Sequence, residues 1–447
     1  PIKVSCGVNF NAVLFDDGTL RVIGSNNYGQ LGIGTTDDSY SWVTSNITDV
    51  ADVKCGNGNM VVLKVNGEVW VTGDNTNGQL GLGHYDQTNG VWNRLGGGTA
   101  KVIAAGDTHI MYVGTDNLLY GVGSNNSGQL GNGSFSGNVN TVTQATIGEV
   151  SFVACGKDGT LAVKKSDSIA WGCGYNGYGQ LHFSPNNDDQ DWSTTGIEVQ
   201  GSDNLYFISY EYYSSSIYST DGNYYIAGKN EYGKLSTGDT DDVTTSTAVE
   251  SGYGSWPIIG RYASIFISVN KYIYTCGHGR QTGIVDSDNL STSAQSVDVG
   301  DDGITDADCG TGSTMYISNG VVYGTGTLFD LGIDETHDTG VSWKNTLSTS
   351  DGISYKEEYW VVPDNTLNIA PSSLYGISTY DINGSEVPIN DINILNYDTD
   401  SDGYTTSLVV NYQDNISFDE TTNVNLMVHV NKLNRVDSIT GGLTRNM

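Results

Sequence analysis

Proline is scarce in this chain, 6 of 447 residues, and so are cations: Lys and Arg together number 19 against 51 Asp and Glu, for a formal charge of −32. A polyanion is bound by Lys and Arg that displace its condensed counterions, and no Lys/Arg cluster stands anywhere in the sequence. Nucleic acid and anionic membrane are thereby excluded as partners, and the acidity itself serves solubility. No apolar run approaches the length that spans a bilayer, so membrane insertion is excluded as well. The chain opens PIKVSCG, with no charged leader followed by an apolar segment, and a cytosolic start is expected.

Signatures of catalysis are missing too. His84, His109, His182, His278, His337 and His429 show no metal-ligand spacing. There is no Gly-x-Ser-x-Gly elbow and no phosphate loop ending in Gly-Lys-Ser or Gly-Lys-Thr. Asp is so abundant that no carboxylate pair stands out as a glycosidase would require. The expected class is non-enzymatic, with no cofactor. Asp398, Asp400 and Asp402 before Gly403 give D-x-D-x-D-G, the opening of a calcium loop, but the place of the bidentate Glu is taken by Val409. Calcium and an acidic hairpin turn between Tyr397 and Tyr404 are the two readings of that stretch.

What the chain has in plenty is glycine, 59 residues, and tyrosine, 28, in a background of Asn, Asp, Ser and Thr. That is the usage of short strands joined by polar turns, an all-β chain. The stretch GSNNYGQLGIG from Gly24 returns as GDNTNGQLGLG from Gly73 and GSNNSGQLGNG from Gly123. Weaker copies start at Gly174, Gly228, Gly277 and Gly324, at spacings of 49, 50, 51, 54, 49 and 47 residues. Seven copies of a unit near fifty residues, each with internal strand alternation, point to a propeller or another closed repeat architecture.

Within a unit, two strand-like runs flank a hairpin turn such as Asn66-Gly67, Asp17-Gly18, Asp221-Gly222 or Asn319-Gly320. In the repeated phrase the paired glycines Gly24 and Gly29, Gly73 and Gly78, Gly123 and Gly128, Gly174 and Gly179, and Gly228 and Gly233 are structural turn positions suited to positive φ. Asn caps its own turn, and Leu31, Leu80, Leu130, Leu181, Leu235 and Leu331 are single apolar pegs to the core. Four of six cysteines open a repeated Cys-Gly: Cys6, Cys55, Cys155 and Cys309. Equivalent positions of successive repeats lie too far apart to bridge, so these, with Cys173 and Cys276, are expected as buried free thiols.

Cys-Gly, a hairpin, then Gly-x-Asn-x-x-Gly-Gln-Leu-Gly at fifty-residue spacing resembles the regulator of chromosome condensation family. The resemblance covers about residues 1–350 and fades in units six and seven. It implies a seven-bladed β-propeller of four-stranded blades. His109 falls on a family position and is read as a blade-packing histidine. Trp42, Trp92, Trp192 and Trp343 stand where the family commonly has Pro, and are expected to pack between neighbouring blades. Residues 2–6 supply a first strand for blade one, and residues 341–355 should complete the ring. The expected domains are a propeller over 1–355 and, over 356–447, a small antiparallel β-sandwich-like domain for anchoring or assembly.

Such a rigid disc is expected to be a structural or interaction protein whose partners are other proteins of a larger assembly. Composition and unpaired thiols together resemble bacteriophage virion proteins: a capsid decoration, head fibre or tail protein made in the host cytoplasm and displayed on the virion. The alternatives are a regulatory propeller acting as a guanine-nucleotide exchange factor, and a secreted inhibitor or adhesin recognising a cell-surface glycan or receptor.

Overall fold

The computed structural model describes residues 1–135, 137–183, 190–202, 205–206, 208–249, 256–267, 272–282, 290–297, 304–318, 320–326, 331 and 344–347, and beyond these the strands at 365–366, 377–380, 386–387, 392–399, 405–412, 427–430 and 442–443. The chain divides into two compact units, Pro1–Thr349 and Ser350–Met447. The first is a ring of seven four-stranded antiparallel meanders, a β-propeller.

Blade 1 is built from Lys3–Cys6, Phe10–Leu14, Leu20–Gly24 and Ser39–Thr44, and blade 2 from Val50–Cys55, Asn59–Lys64, Val69–Gly73 and Asn93–Arg94. In blade 3, Ala100–Ala105, His109–Gly114 and Leu118–Ser124 pair onto the long strand Asn138–Cys155, whose second half opens blade 4 beside Gly159–Lys164, Ile169–Gly174 and Gln190–Glu198. Blade 5 runs Ile208–Glu211, Ser214–Tyr218, Tyr224–Gly228, Val243–Val249, blade 6 Trp256–Ile259, Ala263–Ile267, Ile273–His278, Leu290–Val297, and blade 7 Ile304–Cys309, Ser313–Ser318, Val321–Gly326, Lys344–Leu347. A two-residue hairpin, Gly201–Ser202 with Leu205–Tyr206, sits between blades 4 and 5.

The strands differ by layer for a physical reason. Second strands such as Phe10–Leu14, Ala263–Ile267 and Ser313–Ser318 are buried along their whole length because a neighbouring blade covers each sheet face. Outer strands such as Ser39–Thr44 show exposed positions among buried ones. The hydrophobic core is accordingly a set of slabs between blades: Phe10, Leu20 and Leu31 pack with Val53, Met60 and Trp92 of the next blade. Val4, Cys6, Val13 and Trp42 pack with Met315, Ile317 and Leu331, which closes blade 7 onto blade 1.

Register corrects one position. Phe10 faces Gly24 and Ala263 faces Gly277, and the equivalent first residue of the second strand in blade 7, Ser313, faces Gly326. The seventh turn glycine is therefore Gly326, at φ 123°, two residues beyond the expected Gly324. In blade 6 the turn phrase is replaced by the short helix Gly279–Thr282.

In Ser350–Met447, Ile392–Thr399 and Thr405–Tyr412 form an antiparallel pair. A second sheet is antiparallel, and Asn365–Thr366 pairs in parallel with Gly442–Leu443, a departure from the purely antiparallel expectation.

Candidate functional site

Antiparallel topology puts two kinds of loop on one face of the ring. The turn from first to second strand and the loop leaving the third strand both emerge there, whereas Asp17-Gly18-type hairpins and blade-to-blade connections occupy the other face. The ten turn glycines named from sequence all lie in the loops of this first face, at φ between 73° and 114°. Asn26, Asn75, Asn125, Asn176 and Asn230 do more than cap a turn: each is fully buried, and its Oδ1 accepts a hydrogen bond at 2.8–3.0 Å from the amide of the Leu five residues on. Asn26 Nδ2 also donates to the carbonyls of Thr35 and Asp37, so one side chain holds both ends of the loop. The six peg leucines are buried.

Each loop is then fastened to the next blade. Thr72 Oγ1 donates to Gly29 O, Thr160 Oγ1 to Gln129 O and Ser215 Oγ to Gln180 O. Closer to the axis, hydrogen bonds join each blade to the next in a complete circle, five made between the turns from first to second strand and two, from Lys234 and Gln281, reaching such a turn from the loop after a third strand. Thr311 N donates to Gly7 O, Val8 N to Gly56 O, Asn59 Nδ2 to Gly106 O, Thr108 Oγ1 to Lys157 O, Lys157 N to Tyr212 O, Lys234 Nζ to Gly260 O, and Gln281 Nε2 to Thr311 O. Two of the Cys-Gly glycines are explained here: a Cβ on Gly56 would stand 2.5 Å from Gly106 O, and one on Gly310 2.5 Å from Gly7 O, whereas one on Gly7 first meets the Phe10 ring of its own blade and one on Gly156 the Tyr210 ring of the next. The sequence had offered a reason for the cysteine and none for its glycine.

The first strand of each blade touches that of the next all round the axis, and its free edge is a row of amides needing acceptors. Neighbouring blades supply them. Asp306 and Asp308 Oδ2 accept from Val4 N and Cys6 N at 2.8 and 2.9 Å, Ser5 Oγ from Cys55 N, and Ser209 Oγ from Ile259 N. Lys3 pairs with Asp52 at 2.6 Å. Burial pushes the Asp306 carboxyl up to about 7.

The six cysteines are buried and unpaired, and burial pushes their thiols up, that of Cys276 to about 12. His109 lies between blades: the Thr160 hydroxyl donates to Gln129 O and accepts from His109 Nε2, and burial lowers the imidazole to about 3, keeping it neutral. Trp92 lies against Gly32 of blade 1 and donates to Ser45 Oγ, and Trp192 donates to Gly131 O of blade 3. Trp343, Asp400 and Asp402 lie outside the described residues, as does the side chain of Asp398.

Across blades 4 to 6 the face changes character. Tyr175, Tyr178, Tyr212, Tyr213, Tyr232 and Tyr262 are partly exposed and form two contiguous groups of rings with centroids 4.5–6.1 Å apart. Cations join them. Arg261 Cζ stands 4.2 Å from the Tyr212 ring centre and 5.2 Å from that of Tyr262, while Lys157 Nζ lies 5.0 and 5.1 Å from those of Tyr212 and Tyr213. Lys234, which replaces the Gln of the repeat phrase, is buried and donates to Gly260 O and Arg261 O at 3.0 Å, and burial lowers its amine to about 7. Burial also raises the carboxyls beside this group, Asp107 to about 6 and Glu211 well above the usual range. These aromatics were invisible as a set in the sequence, being scattered over nearly ninety positions; Tyr212-Tyr213 was the local signal.

Comparisons with known proteins agree with this architecture. The profile of the regulator of chromosome condensation (RCC1) repeat matches residues 2–30 and 50–79. The ultraviolet-B receptor UVR8 of Arabidopsis thaliana is 26% identical over 300 residues, 60% of this chain and 66% of the receptor. The X-linked retinitis pigmentosa GTPase regulator of Mus musculus is 30% identical over 152 residues, 34% of this chain and 15% of that protein. The matched stretches thus span under two thirds of both relatives. Among solved structures, Prp20p from Saccharomyces cerevisiae, studied for binding to Gsp1p and histones, superposes with a TM-score of 0.60 at 17% identity, covering 72% of this chain and 82% of Prp20p.

Proposed function

We propose that this chain, an RCC1-like β-propeller, is a non-catalytic interaction platform whose partner protein docks on the face built from the Cys-Gly turns and the repeat loops. The observation carrying this is the closed circle of blade-to-blade hydrogen bonds at that face, made by the turns and by Lys234 and Gln281 of the loops, which gives exposed loops a rigid support. Similarity to a receptor and to a GTPase regulator supports an interaction or regulatory role. The test places a photo-crosslinker at position 28 or 178 on this face and at position 66 on the other, in cells that make the protein. A discrete protein adduct from the first two positions is expected; adducts from position 66 alone, or none, would sink the reading.

For the setting, we propose display on a virion assembled in the host cytoplasm, with Ser350–Met447 as the anchoring part. The acidic, Asn-, Thr-, Ser-, Gly- and Tyr-rich composition and the six free thiols support it. Mass spectrometry of purified particles decides it, and particles without this chain end it. Nucleotide exchange is the second reading, favoured by the mouse GTPase regulator among the relatives. Faster nucleotide release from a small GTPase would establish that one instead.

A further inference from the structure

The Tyr group on blades 4 to 6 brings two cations, Arg261 and Lys157, against the rings of three tyrosines, and neither forms an ion pair among the described residues. Lys229 is matched by Glu231 at 2.7 Å, and Asp158 accepts from Tyr213 Oη at 2.9 Å. Arg261 has no such match. It forms no ion pair among the described residues, and its buried Nε has no hydrogen-bond partner. Its guanidinium instead lies against the rings of Tyr212 and Tyr262, and Lys157 lies against those of Tyr212 and Tyr213. Two carboxyls interact with it, Asp107 and Glu211, and burial raises both, Asp107 to about 6 and Glu211 well above the usual range. A part-exposed guanidinium flanked by tyrosines is the composition on which protein interfaces concentrate their binding energy, and its fork matches a carboxylate in two parallel hydrogen bonds.

We propose that the patch centred on Arg261 seats a carboxylate-bearing segment of a partner protein, one Asp or Glu side chain on the guanidinium and its apolar neighbours on the flanking tyrosines. This rests on the platform reading and names the chemistry of its partner. The net charge of the chain does not forbid it, because at physiological ionic strength charges beyond about 8 Å are largely screened.

The test uses the full chain and a fluorescent decapeptide alternating Glu and Leu, with a Lys-for-Glu peptide and polysialic acid as comparisons. Binding of the Glu peptide is expected, weakened at least about tenfold by Arg261→Ala and less by Arg261→Lys, which keeps charge but loses the fork. Lys157→Ala weakens it too. Arg21→Ala, a cation over Phe15 in blade 1, leaves it unchanged. The Arg261 carbonyl that receives Lys234 survives these changes, and an unchanged thermal midpoint confirms folding. Equal binding by Arg261→Ala, no binding by the unaltered chain, or tighter binding of polysialic acid through Arg261 would overturn the assignment. A partner crosslink at position 28 that persists in such a case keeps the platform and removes only this inference; loss of both removes the platform as well.

Discussion

At the scale of single residues, Gly78 and Gly83 separate two reasons for a glycine in one loop. Both have positive φ, 74° and 78°, but a Cβ on Gly83 meets nothing within 4 Å while one on Gly78 falls 2.7 Å from Asn140 Cβ and 2.8 Å from its Cα. Gly83→Ala therefore costs the backbone term alone, roughly 1–2 kcal/mol, and Gly78→Ala adds roughly 1–3 kcal/mol of overpacking. Denaturant titration of both variants checks the difference, and equal losses would mean the loop moves freely off blade 3. Asp306 gives a pH dependence. Its folded-state value of about 7 lies above the ordinary 3.8, burial being the cause. The folded protein then holds a proton that the unfolded chain has released, so the stabilising contribution is complete below about pH 4 and is lost as pH rises to 7. Asp306→Asn keeps an acceptor for Val4 N and removes the charge: its stability profile should be flatter between pH 4 and 7 and should exceed that of the unaltered protein at pH 8. At this scale the turn glycines, peg leucines and free cysteines were legible because each answers a local demand. The Cys-Gly glycines were not, since atoms that forbid a side chain there belong to the neighbouring blade: Gly56 O for Gly7, Gly106 O for Gly56, the Tyr210 ring for Gly156 and, across the seam of the ring, Gly7 O for Gly310.

At the scale of the element, the recurring Trp shows what holds blades together. Trp92 is 8% exposed, covers Gly32 of blade 1 and donates to Ser45 Oγ at 3.1 Å. Trp92→Ala opens the slab between blades 1 and 2 and should cost about 3–5 kcal/mol. Trp92→Phe keeps most of the packing and strands no large group, so roughly 1 kcal/mol is expected. Chemical unfolding of the pair separates packing from the indole hydrogen bond; similar losses would assign the effect to the bond. Hairpins were readable in blades 1, 2 and 5, where strand-like runs flank Asp17-Gly18, Asn66-Gly67 and Asp221-Gly222, and not in blades 3 and 4, whose turns at 115–117 and 165–168 contain no glycine. Reading failed in blade 6, where GHGRQTGIV has no Asn to hold the loop ends and a helical turn forms, its Gln281 reaching Thr311 of blade 7. It slipped by two residues in blade 7, because Gly324 and Gly326 are both present and only pairing with Ser313 distinguishes them. The parallel pair in Ser350–Met447 was equally hidden: its two strands are seventy-odd positions apart, and no turn between them fixes their direction.

At the scale of the whole molecule, the ring closes without exchanging a strand between its ends. Every strand of blade 1 comes from residues 3–44 and every strand of blade 7 from residues 304–347. The seam is held by side chains: Asp306 and Asp308 on the amides of Val4 and Cys6, Ser313 Oγ with Asn11 Oδ1 at 2.9 Å, and the slab from Val4 to Leu331. All of these lie within Pro1–Thr349. A chain ended after Thr349 should therefore unfold in one cooperative transition with a midpoint within about 2 °C of the propeller transition in the full chain, a shift smaller than a single lost contact of 1–2 kcal/mol would produce. Calorimetry of the two chains measures it. A broadened transition or a midpoint many degrees lower would show that the closing of blade 7 depends on residues after 349, and that the seam is stronger in the full protein than its own side chains make it.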